Sequence, residues 1–135
     1  KLLNNLTDCI APGGYLAISS FTEDHFKELT LLQNQRGTEA SEKLNFWASD
    51  QWREHLELSF EIKIIATEEK CLWFNSVREL LLHLRLTGVN GNARHTWNKQ
   101  SLSKFEADYR DNFELDGRVP LTYQPIYIIA RKKND

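Results

Sequence analysis

The sequence predicts an α/β domain, and three observations carry that expectation. Its 135 residues, 41% hydrophobic and 27% charged, suffice for one ordinary core and have the composition of a globular chain. Tyr15 to Phe21 (YLAISSF) is a short, uncharged, nearly continuous apolar run, the pattern of a strand covered on both faces as in a parallel sheet. Helical periodicities then alternate with runs rich in β-branched and aromatic residues.

The chain opens inside a helical pattern, Leu2, Leu3, Leu6 and Ile10, which Ala11-Pro12-Gly13-Gly14 terminates. After the strand at 15–21, residues 22–44 turn polar and read as a loop with one short helix around Phe26, Leu29 and Leu32. Ser49 is an N-cap for a helix through Leu58, with Trp52 and Leu56 on one face. Phe60 to Phe74 reads as one strand, bulged at 66–70. Asn75 or Ser76 caps a helix to Thr87, with Val77, Leu80, Leu81 and Leu84 on its apolar face and a stop at Gly88. A further helix runs from Lys99 to Phe113 on the stripe Leu102, Phe105, Tyr109, Phe113, and Gly117 closes it. The last strand spans Leu121 to Ala130, before the charged tail Arg131-Lys132-Lys133.

Charge and composition exclude several functions. With 17 Lys and Arg against 19 Asp and Glu, the net charge of -2 supplies no excess to neutralise phosphates, so nucleic acid is disfavoured as a partner. No stretch has the roughly 18 consecutive apolar residues of a membrane span, and residues 1–10 lack the apolar core of a secretory signal. Cys9 and Cys71 are too few and too distant for a disulfide framework or a Cys-x-x-Cys site, which makes a reducing cytoplasm the expected compartment. His25, His55, His83 and His95 have no metal-ligand spacing. Neither a phosphate loop nor a nucleophile elbow is present. A start at Lys1, inside a helical pattern and without any Met, reads as a piece of a longer protein.

Ile10-Ala11-Pro12-Gly13-Gly14-Tyr15-Leu16-Ala17-Ile18-Ser19 resembles the approach to the fifth strand of class I S-adenosylmethionine-dependent methyltransferases. Leu82-His83-Leu84-Arg85-Leu86-Thr87-Gly88-Val89-Asn90-Gly91 and Gly117-Arg118-Val119-Pro120-Leu121-Thr122-Tyr123, followed by Ile126 to Arg131, resemble the narrower BioC family, the malonyl-acyl carrier protein O-methyltransferases of biotin synthesis. The resemblance spans most of the chain. It implies the C-terminal part of a Rossmann-like sheet (residues 1–74) and a last antiparallel strand with its tail (120–135); where the family normally has a tight hairpin before that strand, this sequence holds two helices, read as a helical insert or lid (75–119).

It also implies methylation of the free carboxylate of a malonyl thioester on acyl carrier protein or coenzyme A. S-adenosylmethionine would be the co-substrate, its site lying mostly upstream of Lys1 with no cofactor-binding residue in this chain. The truncated strand 15–21 would then keep an unpaired edge open to self-association.

Ligands of open α/β sheets bind at the carboxyl ends of parallel strands, which points to Ser19, Ser20, Phe21 and Thr22. A carboxylate acceptor calls for a guanidinium. Arg78, Arg85, Arg94 and Arg118 are the insert's candidates, led by Arg85 and Arg94 beside the Gly88 to Gly91 stop, whereas Arg110 reads as surface. Tyr123 and Trp97 could wall the acceptor from water. An ionised carboxylate is already a nucleophile and needs no strong base, so catalysis would rest on positioning. The alternatives are a methyltransferase with another small-acid acceptor and a non-catalytic module that binds a carrier protein.

Overall fold

The computed structural model describes residues 2–36, 46–88 and 98–134. It is a mixed α/β structure with helices α1 (Leu2–Cys9), α2 (Lys27–Arg36), α3 (Ser49–Glu57), α4 (Val77–Leu86) and α5 (Lys99–Phe113). Its strands are β1 (Tyr15–Phe21), β2 (Phe60–Thr67), β3 (Lys70–Phe74), β4 (Val119–Tyr123) and β5 (Pro125–Lys132). The residues group into two compact units. One holds residues 1–25, 45–69 and 123–135; the other holds 26–44 and 70–122.

The first unit is built on a sheet of order β1-β5-β2. Both outer strands run antiparallel to β5, with Leu16 opposite Ala130, Ile18 opposite Ile128 and Phe60 opposite Lys132. A register shift between Ile62 and Ile64 lets Phe60, Ile62 and Ile65 all reach one face despite the two-residue period of a strand. That face carries Leu16, Phe60, Ile126, Ile128 and Ala130, closed over by Leu56 of α3, with Leu3, Ile10 and Trp52 packed around it. Burying each such side chain contributes about 1.5–3 kcal/mol before entropy is counted. On the opposite face Tyr15, Ile64, Tyr127 and Ile129 are exposed.

Helix α1 stops for identifiable reasons. Lys132 Nζ donates to the Thr7 and Ile10 carbonyls at 2.6 and 2.7 Å, satisfying groups the helix leaves open. Gly13 sits at φ +78° and donates its N–H to Lys132 O at 2.9 Å. At Gly14 a Cβ would lie 2.9 Å from Ala11 O, so the turn requires glycine there for space.

In the second unit α2 and α4 pack on α5, and β3 lies against α4 and pairs with β4. Its buried side chains include Leu32, Val77, Leu80, Leu84, Phe105, Tyr109, Val119 and Leu121. Ser76 caps α4 by accepting the Glu79 N–H at 3.1 Å, and Asn98 caps α5 through the Ser101 N–H at 2.7 Å. Two polar links are buried here. Tyr109 OH donates to Pro120 O at 2.5 Å, and Glu28 accepts both the Thr122 N–H, at 3.1 Å, and the Thr122 hydroxyl.

Four expectations are corrected. Among the described strands β1 is antiparallel to its neighbour β5 and covered on one face by this chain, with Tyr15, Ala17 and Ser19 exposed on the other. Among the described strands β1 ends its sheet. Residues 60–74 form two strands, because β2 ends where Glu68 N–H bonds Pro125 O and β3 then pairs with β4. The run 121–130 likewise divides at Gln124, with β4 and β5 in different sheets. Helix α3 is capped from Ala48, whose N–H meets Gln51 Oε1 at 2.9 Å, leaving Ser49 inside the helix. The compact unit that holds α4 and α5 comprises residues 26–44 and 70–122.

Candidate functional site

Polar and aromatic groups converge where β1 ends and β5 begins. The chain leaves β1 through a turn in which His25 N–H donates to Thr22 O at 3.0 Å. Thr22 N–H donates to Gln124 O at 2.9 Å, and its hydroxyl donates to Gln124 Oε1 at 2.6 Å. Gln124 N–H in turn donates to His25 Nδ1 at 3.2 Å. These bonds tie together segments 102 residues apart in sequence.

Rings surround this knot. The His25 imidazole stacks on Phe21 with centroids 3.8 Å apart, and Tyr123 and Phe46 meet it edge-on at 5.1 and 5.5 Å. Phe46 also packs on Phe21 at 5.6 Å. Offset and edge-to-face pairs of this kind are worth about 0.5–1.5 kcal/mol each beyond their burial. The result is a neutral, aromatic wall at the carboxyl end of β1.

Burial pushes the His25 pKa down from 6.5 to about 4. The backbone N–H of Gln124 can only donate, so Nδ1 must present its lone pair and the ring proton sits on Nε2. Because the folded pKa lies below the unfolded one, stability rises with pH between about 4 and 6.5; the contribution is present above 6.5 and lost as pH falls towards 4. At about 1.4 kcal/mol per pKa unit we expect at most about 3 kcal/mol across that window. His25→Gln should flatten this part of the stability profile in thermal unfolding scans; parallel profiles for variant and wild type would contradict the assignment.

Of the residues expected from sequence to bind an acceptor, Thr22 and Tyr123 meet at this wall, Thr22 buried and Tyr123 half-buried. Ser20 pairs with Ile126 on the adjoining stretch of the ladder. The arginines belong to the other unit. Arg78 is engaged by Glu106 at 2.7 Å, and Arg118 lies over the Trp73 ring at 6.0 Å. Arg85 is exposed and its guanidinium has no acidic partner among the described residues. Arg110 pairs with Glu114 at 2.8 Å and reaches Asn75 O at 3.3 Å. Arg94 and Trp97 lie outside the described residues. Sequence reasoning missed His25, Phe46 and Gln124; the aromatic spacing Phe21 to His25 and the Gln-Pro step before β5 were the available signals.

No family model matches the chain. Similarity to O-methyltransferases nevertheless runs along almost all of it. The relatives are, in particular, malonyl-[acyl-carrier protein] O-methyltransferases. The one from Acinetobacter baylyi is 39% identical over 98% of this chain and 51% of its own length. Those of Porphyromonas gingivalis and Calditerrivibrio nitroreducens are 30% and 29% identical over 97% and 100% of the chain. The chain spans about half the length of these curated relatives. A solved structure from Bacillus halodurans, described as a candidate methyltransferase, aligns with a TM-score of 0.49 and 22% identity, over 90% of this chain and 57% of that one. Among the described residues no helix is long and apolar enough to cross a membrane.

Proposed function

We propose that this chain supplies the acceptor side of an S-adenosylmethionine-dependent O-methyltransferase that esterifies the free carboxylate of a malonyl group carried by acyl carrier protein, in biotin synthesis and in the cytoplasm. The observation that carries the reading is the 39% identity to a protein of that name over 98% of the chain. When bound, S-adenosylmethionine would supply the methyl group. The described glycines, at 13, 14, 88 and 117, lie at helix ends and turns rather than in a loop after a parallel strand, so no contact to the donor is assigned here.

The chain's own part is to hold the acceptor. Ser20, Thr22 and Tyr123 border the carboxyl end of β1, and the neutral rings of Phe21, His25 and Phe46 keep water from the acyl group while leaving the carboxylate nucleophilic. Masking the malonyl charge would yield an ester that resembles an ordinary acyl primer.

The test uses the protein that contains this chain, labelled S-adenosylmethionine and malonyl-carrier protein. Label in a base-labile methyl ester is expected, and transfer only to another small acid would overturn the acceptor assignment. Tyr123→Ala should lower kcat/KM about tenfold, which corresponds to about 1.4 kcal/mol of lost transition-state binding; an unchanged value would remove Tyr123 from the site.

A further inference from the structure

We infer that the outer stripe of α4 is the surface on which the carrier protein docks, an inference that rests on the function proposed above. Helix α4 turns Val77, Leu80 and Leu84 into the core of its unit. Arg78, Leu82, Arg85 and Leu86, spaced i, i+4, i+7 and i+8, share the other side. Leu82 is 51% and Leu86 77% exposed, an apolar ridge one turn long that the interior of the unit does not use.

The charges around the ridge define its occupant. Arg85 lies between the two leucines with no acidic partner among the described residues, and Arg78, one turn back, reaches Glu106 from a side chain that is itself 71% exposed. Glu79 is occupied at the helix start, accepting the Asn75 N–H at 3.1 Å. On the flank towards the core, half-buried His83 lies beside Phe74 at 5.2 Å. An exposed leucine pair flanked by guanidinium complements a helix that presents carboxylates around a small apolar patch. A small acidic carrier protein has that chemistry, and charge pairing at the rim of such a contact governs encounter and register. Arg85 is too exposed to sit in a dry pocket, which assigns it to the carrier rather than to the malonyl carboxylate.

The experiment compares two acceptors, malonyl-carrier protein and malonyl-coenzyme A, with the protein containing this chain and its Arg85→Glu and Leu82→Ser variants. Both variants should raise KM for the carrier-bound acceptor at least tenfold while leaving KM and kcat for the coenzyme A ester unchanged. Equal effects on both acceptors, or none, overturn the docking surface. Carrier binding is measured separately by calorimetry without methyl donor. If neither acceptor is methylated by the wild type, the proposed function fails, while weaker binding of the carrier by both variants still upholds the surface. A dimer that Leu82→Ser converts to monomer, with carrier binding intact, would reassign the ridge to a second copy of the chain.

Discussion

Tyr109→Ala is expected to lower the free energy of unfolding by about 3–5 kcal/mol, the range for truncating a large aromatic side chain in a packed interior. Tyr109 is fully buried on α5, with Phe113 edge-on at 5.0 Å and Phe105 at 5.7 Å. Its hydroxyl is the second component. Burial, reinforced by the nearby Glu28 carboxylate and Cys71, raises the phenol's pKa far above its ordinary value, so it remains a donor to Pro120 O at any working pH. Tyr109→Phe keeps the ring and should cost only about 1 kcal/mol. Urea titrations separate the two: both variants should shift the midpoint with little change in slope. If Tyr109→Ala cost less than the Phe variant's amount, this ring would not anchor α5 to β4.

The second large effect is expected at Glu28. The carboxylate is buried in the first turn of α2, where the helix dipole favours negative charge. It accepts two hydrogen bonds from one residue, Thr122. Glu28→Ala leaves a buried N–H and a buried hydroxyl without that acceptor and should cost roughly 3 kcal/mol. Thr122→Val removes only the hydroxyl, so the double variant should be at least about 1 kcal/mol more stable than the sum of the singles implies. Strict additivity in a double-mutant cycle would show that the pair is not coupled.

Helices were far more legible than sheets. The cap at Ser76, the stripe Leu102-Phe105-Tyr109-Phe113 and the stop at Gly88 are local chemistry, and α4 and α5 follow from them within a residue or two, although the Asn98 cap was not read. The division of residues 60–74 is not local. The same apolar text continues across Glu68 and Glu69, and only the distant partners β5 and β4 allot its halves to different sheets. The candidate site divides in the same way. Thr22 and Tyr123 stood out because strand ends and a recognisable motif marked them, whereas His25 and Gln124 acquire their role from bonds to each other across 99 residues. The arginines were identifiable as cations, but sequence could not show that Arg78 faces Glu106 or that Arg118 covers Trp73.

Because both ladders of the first unit run through β5, that strand acts as a keystone added last. As the nascent chain emerges, α1, β1, α3 and β2 are synthesised before β5, the strand to which both outer strands are paired here, and residues 70–122 of the second unit are made between β2 and β5. The second unit draws only on residues 26–44 and 70–122, so its pieces are complete before β5 appears. The ladders β1–β5 and β5–β2 must therefore await the arrival of residues 125–132, with Leu16, Phe60 and Ile62 short of these partners in the interval. Contacts of such long sequence separation close slowly. The interval between the emergence of β2 and that of β5 is thus the one in which an unpaired strand edge of this sheet is open to another chain.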